Sequence, residues 1–518
     1  MKALKSYACG EWIEGSGEGA VVRNAVTGEA IGSVSSKGLD FKKMLEYARD
    51  LGGPALRRLT FPQRAELIQG AAGVLKEHLS EFYPIAHSYG ATKADAWMDV
   101  EGGIGTLRVF SGLGRKRLPD STFLLDGDVE GLSKEGTFMG RHIWVSLEGA
   151  AVQINAFNFP AWAMLEKLAP ALLAGMPSVV KSATPTCPLA HRTVEVLVES
   201  GVLPEGSLQL ICGSVGDLLD HLTCQDVVCF TGSAETGEVI KSHPNVIRSS
   251  VRLNIEADSM NCAILGPDCS PGSRTFDLFV KEVVHEMTQK AGQKCTAIRR
   301  VIVPEDRAQA VVEALRGRLE KVVIGDPSAE GVAMGPLASR SQVDAAQEGV
   351  AELAREAKVV FGDPRTFEVV GADKEKGAFF PPVLLHCKSP KEADAVHRVE
   401  VFGPVATVMG YADAEDAISL ARRGGGSLAA SVFGEDEEFV RKLTFGMAPF
   451  HGRLMVMNEA ASRESTRHGT AMPQLVHGGP GRAGGGEELG GLRSLHRYML
   501  RVALQGSPDR LEALCAAG

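Results

Sequence analysis

Cys295 stands in Ala291-Gly-Gln-Lys-Cys-Thr-Ala-Ile298, among small and polar residues. The stripe Val280, Val283, Val284 and Met287 predicts a helix just before it, running to about Lys290. Ala291-Gly292 is expected to end that helix, because glycine accepts a positive φ, and Arg299–Pro304 reads as a strand. A cysteine at such a junction is either an incidental thiol or a nucleophile, and the stretch alone favours the first. Glu256 follows the apolar run Val251–Ile255, where a carboxylate is either a turn cap or a general base. Asn158, in Ile154-Asn-Ala-Phe-Asn-Phe-Pro160, is either an Asx turn before proline or a donor to a developing oxyanion. Lys181 ends Ser178-Val-Val-Lys181 and is either solvated or turned to a ligand crevice. Gly232 and Ser233, in Phe230-Thr-Gly-Ser233, make either an ordinary N-cap or a place where free N–H groups hold a pyrophosphate.

These residues need elements to bring them together. From Gly149 the pattern predicts strands at 150–155, 178–181, 208–212, 227–230, 251–255 and 261–265. Between them it predicts helices at 161–173 (ended by Gly175), 187–199, 215–222 and 234–242. Strands alternating with helices imply parallel βαβ units and an α/β, doubly wound sheet. Groups at the carboxyl ends of such strands face one crevice, so Asn158, Lys181, Gly232, Ser233 and Glu256 are expected to converge. A second α/β run begins near residue 271 and contains Cys295, with helices predicted at 308–322 and 414–422 and strands at 406–410 and 428–433. Residues 39–115 read as largely helical. Thr60 and Gln63 have capping-box spacing there, and Pro62 suits a first turn. Residues 121–125, 136–140 and 142–147 read as strands, with Asp126-Gly127 as a turn signal.

The chain has 518 residues and a formal charge of −9. That acidic balance argues against nucleic-acid or acidic-membrane partners. No run of about 18 uncharged apolar residues predicts a membrane span, and the N-terminus is too polar for a signal peptide. Ten cysteines without CxxC spacing fit free thiols in a reducing cytoplasm, not a disulfide framework or a metal site. The tail holds a literal GxGxxG, Gly479 to Gly484. It lacks a strand before it and a helix after it, so it is not expected to bind a dinucleotide.

Asn155-Ala-Phe-Asn-Phe-Pro160, Val179-Val-Lys181, Phe230-Thr-Gly-Ser233, Asn254-Ile-Glu256, Gly292-Gln-Lys-Cys295 and Glu400-Val-Phe-Gly-Pro404, in that order, resemble the NAD(P)-dependent aldehyde dehydrogenase superfamily. The resemblance implies Cys295 as nucleophile, Glu256 as general base, and Asn158 with the Cys295 N–H as oxyanion donors. It implies Lys181 and Ser233 at the cofactor's ribose and phosphates, and Glu400 and Phe402 at the nicotinamide. Ser182, Thr184, Gly232 and Phe157 are placed in the same cofactor site. It further implies a cofactor-binding domain (1–119 and 149–265), a catalytic domain (266–476), a small β oligomerisation flap (120–148 and 477–518), and a homodimer.

Departures from the family pattern refine these expectations. Many NAD-preferring members carry a glutamate three residues after the cofactor lysine, and this chain has Thr184. A carboxylate that would repel a 2′-phosphate is thus missing, so NADP is the expected cofactor, with NAD admitted. The usual Glu-Leu-Gly-Gly is Glu256-Ala-Asp-Ser259. The tail Val476–Gly491 resembles the semialdehyde dehydrogenases of aerobic benzoyl-CoA and phenylacetate degradation. The expected substrate is therefore a CoA-linked aldehyde, oxidised to the acid through a thiohemiacetal and a thioester. With its end at Gly518, the chain is expected to be of the stand-alone kind. The alternatives are a CoA-acylating dehydrogenase, a type that lacks a base at the Glu256 position, and a cysteine hydrolase or acyltransferase without nicotinamide. For the latter His285 is the candidate thiol partner.

Overall fold

Every residue of the strand Ala151–Ile154 is buried, so it needs cover on both faces. The computed structural model describes residues 2–516 and sets this strand in the middle of a seven-stranded sheet. The order is Arg252–Glu256, Val227–Thr231, Ala151–Ile154, Ser178–Lys181, Leu208–Ile211, Ser6–Ala8, Glu11–Ile13. The strands from Arg252–Glu256 to Leu208–Ile211 run parallel, and the N-terminal hairpin closes the edge antiparallel. Ile154 pairs with Lys181, Ile154 with Phe230, and Thr231 with Glu256, so these strands finish level at their carboxyl ends. One core packs Phe61, Leu107, Leu168 and Leu197 on one face of the sheet. Another packs Phe41, Leu45, Leu218 and Ile240 on the other. The sheet is doubly wound, as the alternating pattern requires.

Several local signals act as read. Gln63 Oε1 accepts the Thr60 N–H at 2.9 Å where helix Phe61–Glu77 begins. Gly175, with φ of 88°, ends helix Trp162–Ala174. Others do not. Only a 3₁₀ turn, Leu218–His221, forms where a helix was expected at 215–222, and Gly216 just before it sits at φ 49°. Asp126-Gly127 lies inside the strand Leu124–Gly131, at an irregularity with Gly127 at φ 70°, and is not a turn.

The second sheet is ordered Lys358–Phe361, Val383–Cys387, Val405–Tyr411, Arg300–Pro304, Cys262–Leu265, Ser427–Phe433, His451–Met457. It is parallel except for its first edge strand. Cys262–Leu265 belongs here and not in the first sheet, where the sequence pattern had put it. A buried apolar tetrapeptide fits either sheet, and local pattern does not choose between them.

A three-stranded antiparallel sheet joins Leu124–Gly131, Met139–Ser146 and Met499–Gly506. The expectation that the tail from 477 onward lies with this sheet holds for Met499–Gly506 and is corrected for 477–489. His477-Gly478 pairs with Glu487–Leu489, and this short ribbon lies against the end of the first sheet. Among the described residues no helix is long and apolar enough to cross a membrane.

Candidate active site

The helix before Cys295 is Arg274–Thr288, ending sooner than expected. The backbone then takes three consecutive left-handed residues, Lys290 (φ 51°), Ala291 (φ 50°) and Gly292 (φ 69°). Only the glycine adopts that region freely, so the turn is held from outside. Asp95 Oδ1 accepts the Lys290 N–H at 2.8 Å, and the Lys290 ammonium lies 4.5 Å from the centre of the Phe159 ring. A Cβ on Gly292 would come to 2.2 Å of the Gly403 carbonyl oxygen. Asn261 Nδ2 donates to the Cys295 carbonyl at 2.7 Å, and Lys294 is buried in an ion pair with Glu286 at 2.6 Å. Cys295 is therefore a partly buried thiol on a fixed loop. Its own N–H has no backbone or side-chain partner among the described residues. Asn158 is buried, and its amide likewise makes no side-chain hydrogen bond there. Two free donors are what an oxyanion needs.

Cys295 Sγ, a Glu256 oxygen and a His477 ring nitrogen lie within 4.8 Å of one another. His477 Nε2 is 3.8 Å from Sγ and 3.4 Å from Glu256 Oε2, while Nδ1 is 3.2 Å from Glu166 Oε2. Behind Glu166, the Lys167 ammonium reaches Glu488 Oε2 at 2.7 Å and Glu166 Oε1 at 3.4 Å. Asn254 Nδ2 donates to Glu488 Oε1 at 2.8 Å. All of these except Cys295 are buried. Burial alone would lower the His477 pKa, but Glu256 and Glu166 outweigh it and lift it to about 9. Burial, and then the charge of Glu256, push the Cys295 thiol up. Both Glu256 oxygens are buried without a hydrogen bond, which leaves lone pairs open to a water.

His477, Glu166, Lys167 and Glu488 were missed by the sequence reading. Glu166 and Lys167 look like ordinary charges in a helix that is buried almost all round. His477 and Glu488 arrive with the glycine-rich tail. Ala257 N–H donates to the Ala483 carbonyl at 3.1 Å, and a Cβ on Gly486 would sit 2.1 Å from Asn254 Oδ1. Glycine there lets the tail lie flush on the strand that ends in Glu256. His285, the histidine expected near the thiol in the hydrolase alternative, lies half-buried on the preceding helix. Burial and Lys294 lower its pKa to about 3.

Several of the residues expected to hold a cofactor lie at the carboxyl edge of the first sheet. Lys181 and Thr184 line a cleft of about 680 Å³ with Ser36, Lys37, Gly213 and Ser214. Ser182, by contrast, is buried and spends its hydroxyl on Cys187 Sγ at 3.1 Å. Ser233 caps helix Ala234–Lys241 by accepting the Thr236 N–H at 3.3 Å, so the plain N-cap reading holds for its side chain. The departure at Ala257-Asp-Ser259 also finds its use. Asp258 Oδ1 accepts the Ala234 N–H at 2.9 Å, and the Ser259 N–H donates to Glu400 Oε2 at 2.9 Å. Glu400 also pairs with Arg299 at 3.4 Å, and burial lifts its carboxyl to about 7. Phe157 meets Phe402 edge-on, ring centres 5.8 Å apart. Asn155 Oδ1 and Thr231 Oγ1 are buried at these strand ends without partners. An ammonium and hydroxyls in a cleft, orphaned polar atoms at the strand ends, and an aromatic pair beside Glu400 fit a nicotinamide dinucleotide.

A family model described as aldehyde dehydrogenase family matches residues 12–499. A 3,4-dehydroadipyl-CoA semialdehyde dehydrogenase from Aromatoleum evansii is 50% identical over 478 residues, covering 92% of this chain and 93% of its own. Among solved structures, betaine aldehyde dehydrogenase from Staphylococcus aureus superposes with a TM-score of 0.83 at 23% identity, covering 97% of this chain and 94% of that one. A lactaldehyde dehydrogenase structure also gives 0.83 at 23% identity, covering 98% and 99%. Both structural likenesses establish the shared fold.

Proposed function

This chain belongs to the aldehyde dehydrogenase family, and on that premise we propose that it oxidises a CoA-linked semialdehyde of the dehydroadipyl type to the carboxylic acid, with NADP as hydride acceptor. The observation that carries this reading is the meeting of Cys295 and Glu256 next to the free Cys295 N–H. The 50% identical relative supports the substrate class through its name.

Cys295 Sγ attacks the aldehyde carbon. The resulting oxyanion is held by the Asn158 amide and the Cys295 N–H, both preorganised at no further cost. A bound nicotinamide would supply the hydride acceptor. Lys181 and Thr184 would hold its adenosine end, while Glu400 and Phe402, braced by Arg299 and Phe157, would hold the nicotinamide end. Glu256 then takes a proton from a water that attacks the Cys295 thioester, and the acid leaves. Its open lone pairs suit that step. The Lys167–Glu488 pair offers the proton a path onward.

Thr184 and Lys181 support NADP because the cleft they line carries two ammonium groups, with Lys37, and Glu18 as its one carboxylate. The homodimer is assigned to the three-stranded sheet, which leaves Leu125, Val129, Phe138 and Leu500 exposed.

The test is absorbance at the reduced-nicotinamide band with simple aldehydes and a CoA-linked semialdehyde, each with NAD and NADP. Fastest turnover of the CoA-linked substrate with NADP supports the reading. Turnover confined to small aldehydes and NAD overturns the substrate and cofactor assignments.

A further inference from the structure

We propose that His477, oriented by Glu166, takes the proton of Cys295, so that this enzyme has a separate base for its thiol and keeps Glu256 for water. The inference rests on the reading of Cys295 as nucleophile. It adds a group that the sequence motifs did not contain.

The geometry is that of a nucleophile, a base and an orienting carboxylate. Nε2 lies 3.8 Å from Sγ, and Nδ1 lies 3.2 Å from Glu166 Oε2. In the neutral ring, with Nδ1–H donating to Glu166, Nε2 carries the free lone pair and faces both the Cys295 thiol and Glu256 Oε2. The ring is also fixed by packing, 5.2 Å between its centre and that of Trp162. Its backbone is fixed by the ribbon with Glu487–Leu489 and by the glycines that seat the tail.

The step balances simply. The S–H bond breaks, an N–H bond forms at Nε2, and the sulfur keeps the electron pair with which it attacks the aldehyde carbon. The imidazolium so formed faces Glu166 on its helix, Glu256 on its strand and the thiolate on the loop, with Lys167 and Glu488 beyond Glu166. Two carboxylates flank one cation, which favours the charged pair over neutral thiol and imidazole. The carboxylates that lift His477 to about 9 favour the imidazolium product; the transfer starts from the neutral ring, whose share grows as pH rises toward that value.

A single base serving both steps meets a conflict. Glu256, ionised beside Sγ, pushes the thiol pKa up and so opposes the thiolate it is meant to generate. The His477 ring, within 4.8 Å of both the thiol and Glu256, supplies a charge that opposes this effect. The imidazolium offsets the carboxylate's field at the sulfur, and Glu256 keeps its lone pairs open.

The experiment is the rate of Cys295 alkylation by iodoacetamide across pH, in the full-length enzyme without cofactor, read by mass spectrometry. Wild type should alkylate with an apparent pKa below the ordinary thiol value of about 8.5. His477→Gln should move the profile up and slow alkylation at neutral pH by at least about tenfold, the equivalent of one pKa unit. Added imidazole should restore part of the rate to His477→Ala. Glu166→Gln, a milder change at a positioning residue, should give a smaller slowing in the same direction. Glu256→Gln should block turnover and yet alkylate at least as fast as wild type. An unchanged profile in both His477→Gln and Glu166→Gln, with loss of alkylation in Glu256→Gln, would overturn the proposal and return both steps to Glu256. If Cys295→Ala retains aldehyde oxidation, the nucleophile reading itself fails, whatever the alkylation profiles show.

Discussion

Gly484 lies so close under Ile255 that a Cβ added to it would stand 2.0 Å from the Ile255 carbonyl oxygen. The next residue of that strand is Glu256. The tail therefore sets where the proposed base sits, and Gly484 is also at φ 110°, where an L side chain is strained.

Gly484→Ala should accordingly damage both stability and turnover. Overpacking costs about 1–3 kcal/mol, and the backbone conformation adds roughly 1–2 kcal/mol. The neighbour Gly485, also at positive φ, has nothing within 4 Å of its added Cβ. Gly485→Ala should therefore lose only the backbone part. Thermal midpoints and kcat of the two variants check this. Equal losses would mean that the close approach at Gly484 does not matter.

Thr184→Glu tests the cofactor reading. A carboxylate in the cleft beside Lys181 and Lys37 should repel the 2′-phosphate. KM for NADP should rise at least about tenfold, or about 1.4 kcal/mol, and KM for NAD should move much less. Equal changes for both cofactors would remove Thr184 as the permissive position.

The pH dependence of stability follows from groups whose folded pKa is raised. His477 goes from an ordinary 6.5 to about 9, with burial opposing and Glu256 and Glu166 prevailing. Glu400 goes from 4.5 to about 7, chiefly through burial. The folded protein thus holds protons that the unfolded chain releases. The His477 contribution is complete below pH 6.5 and is lost as pH rises through about 9. The Glu400 contribution is complete below pH 4.5 and is lost as pH rises through about 7. Thermal midpoints should fall between neutral pH and about 9, and His477→Gln should flatten that fall. A midpoint that climbs over the same window in wild type would contradict the charge arrangement around His477.

How far the site was legible depends on how local each signal is. Asn158, Lys181, Ser233 and Glu256 were singled out because strand-end position is a local property, and the register of parallel strands brings the strand ends level. Cys295 stood out because its loop is bare of bulk, but that stretch alone favoured an incidental thiol, and only the six motifs in family order made it the expected nucleophile. His477 was not, since nothing within the tail says that glycines 478–486 lie against strand Arg252–Glu256. The left-handed Lys290-Ala291 turn was also hidden. It depends on Asp95 and Phe159, nearly two hundred residues and more than a hundred residues away in the chain, respectively. Asp258 looked like a defect in a glycine pair and is a helix-capping acceptor. The sheet membership of Cys262–Leu265 was settled by a crossover that residue type does not encode.

The most direct test of the chemistry is to stop it halfway. Glu256→Gln should still allow Cys295 to attack and hydride to leave, but it removes the base that activates water. Given aldehyde and NADP, this variant should release one equivalent of reduced cofactor per active site and then stall. Intact-protein and peptide mass spectrometry should find the acyl group on Cys295. Continued turnover without a covalent adduct, or an adduct on another residue, would contradict the assignment of Cys295 as nucleophile and Glu256 as the hydrolytic base.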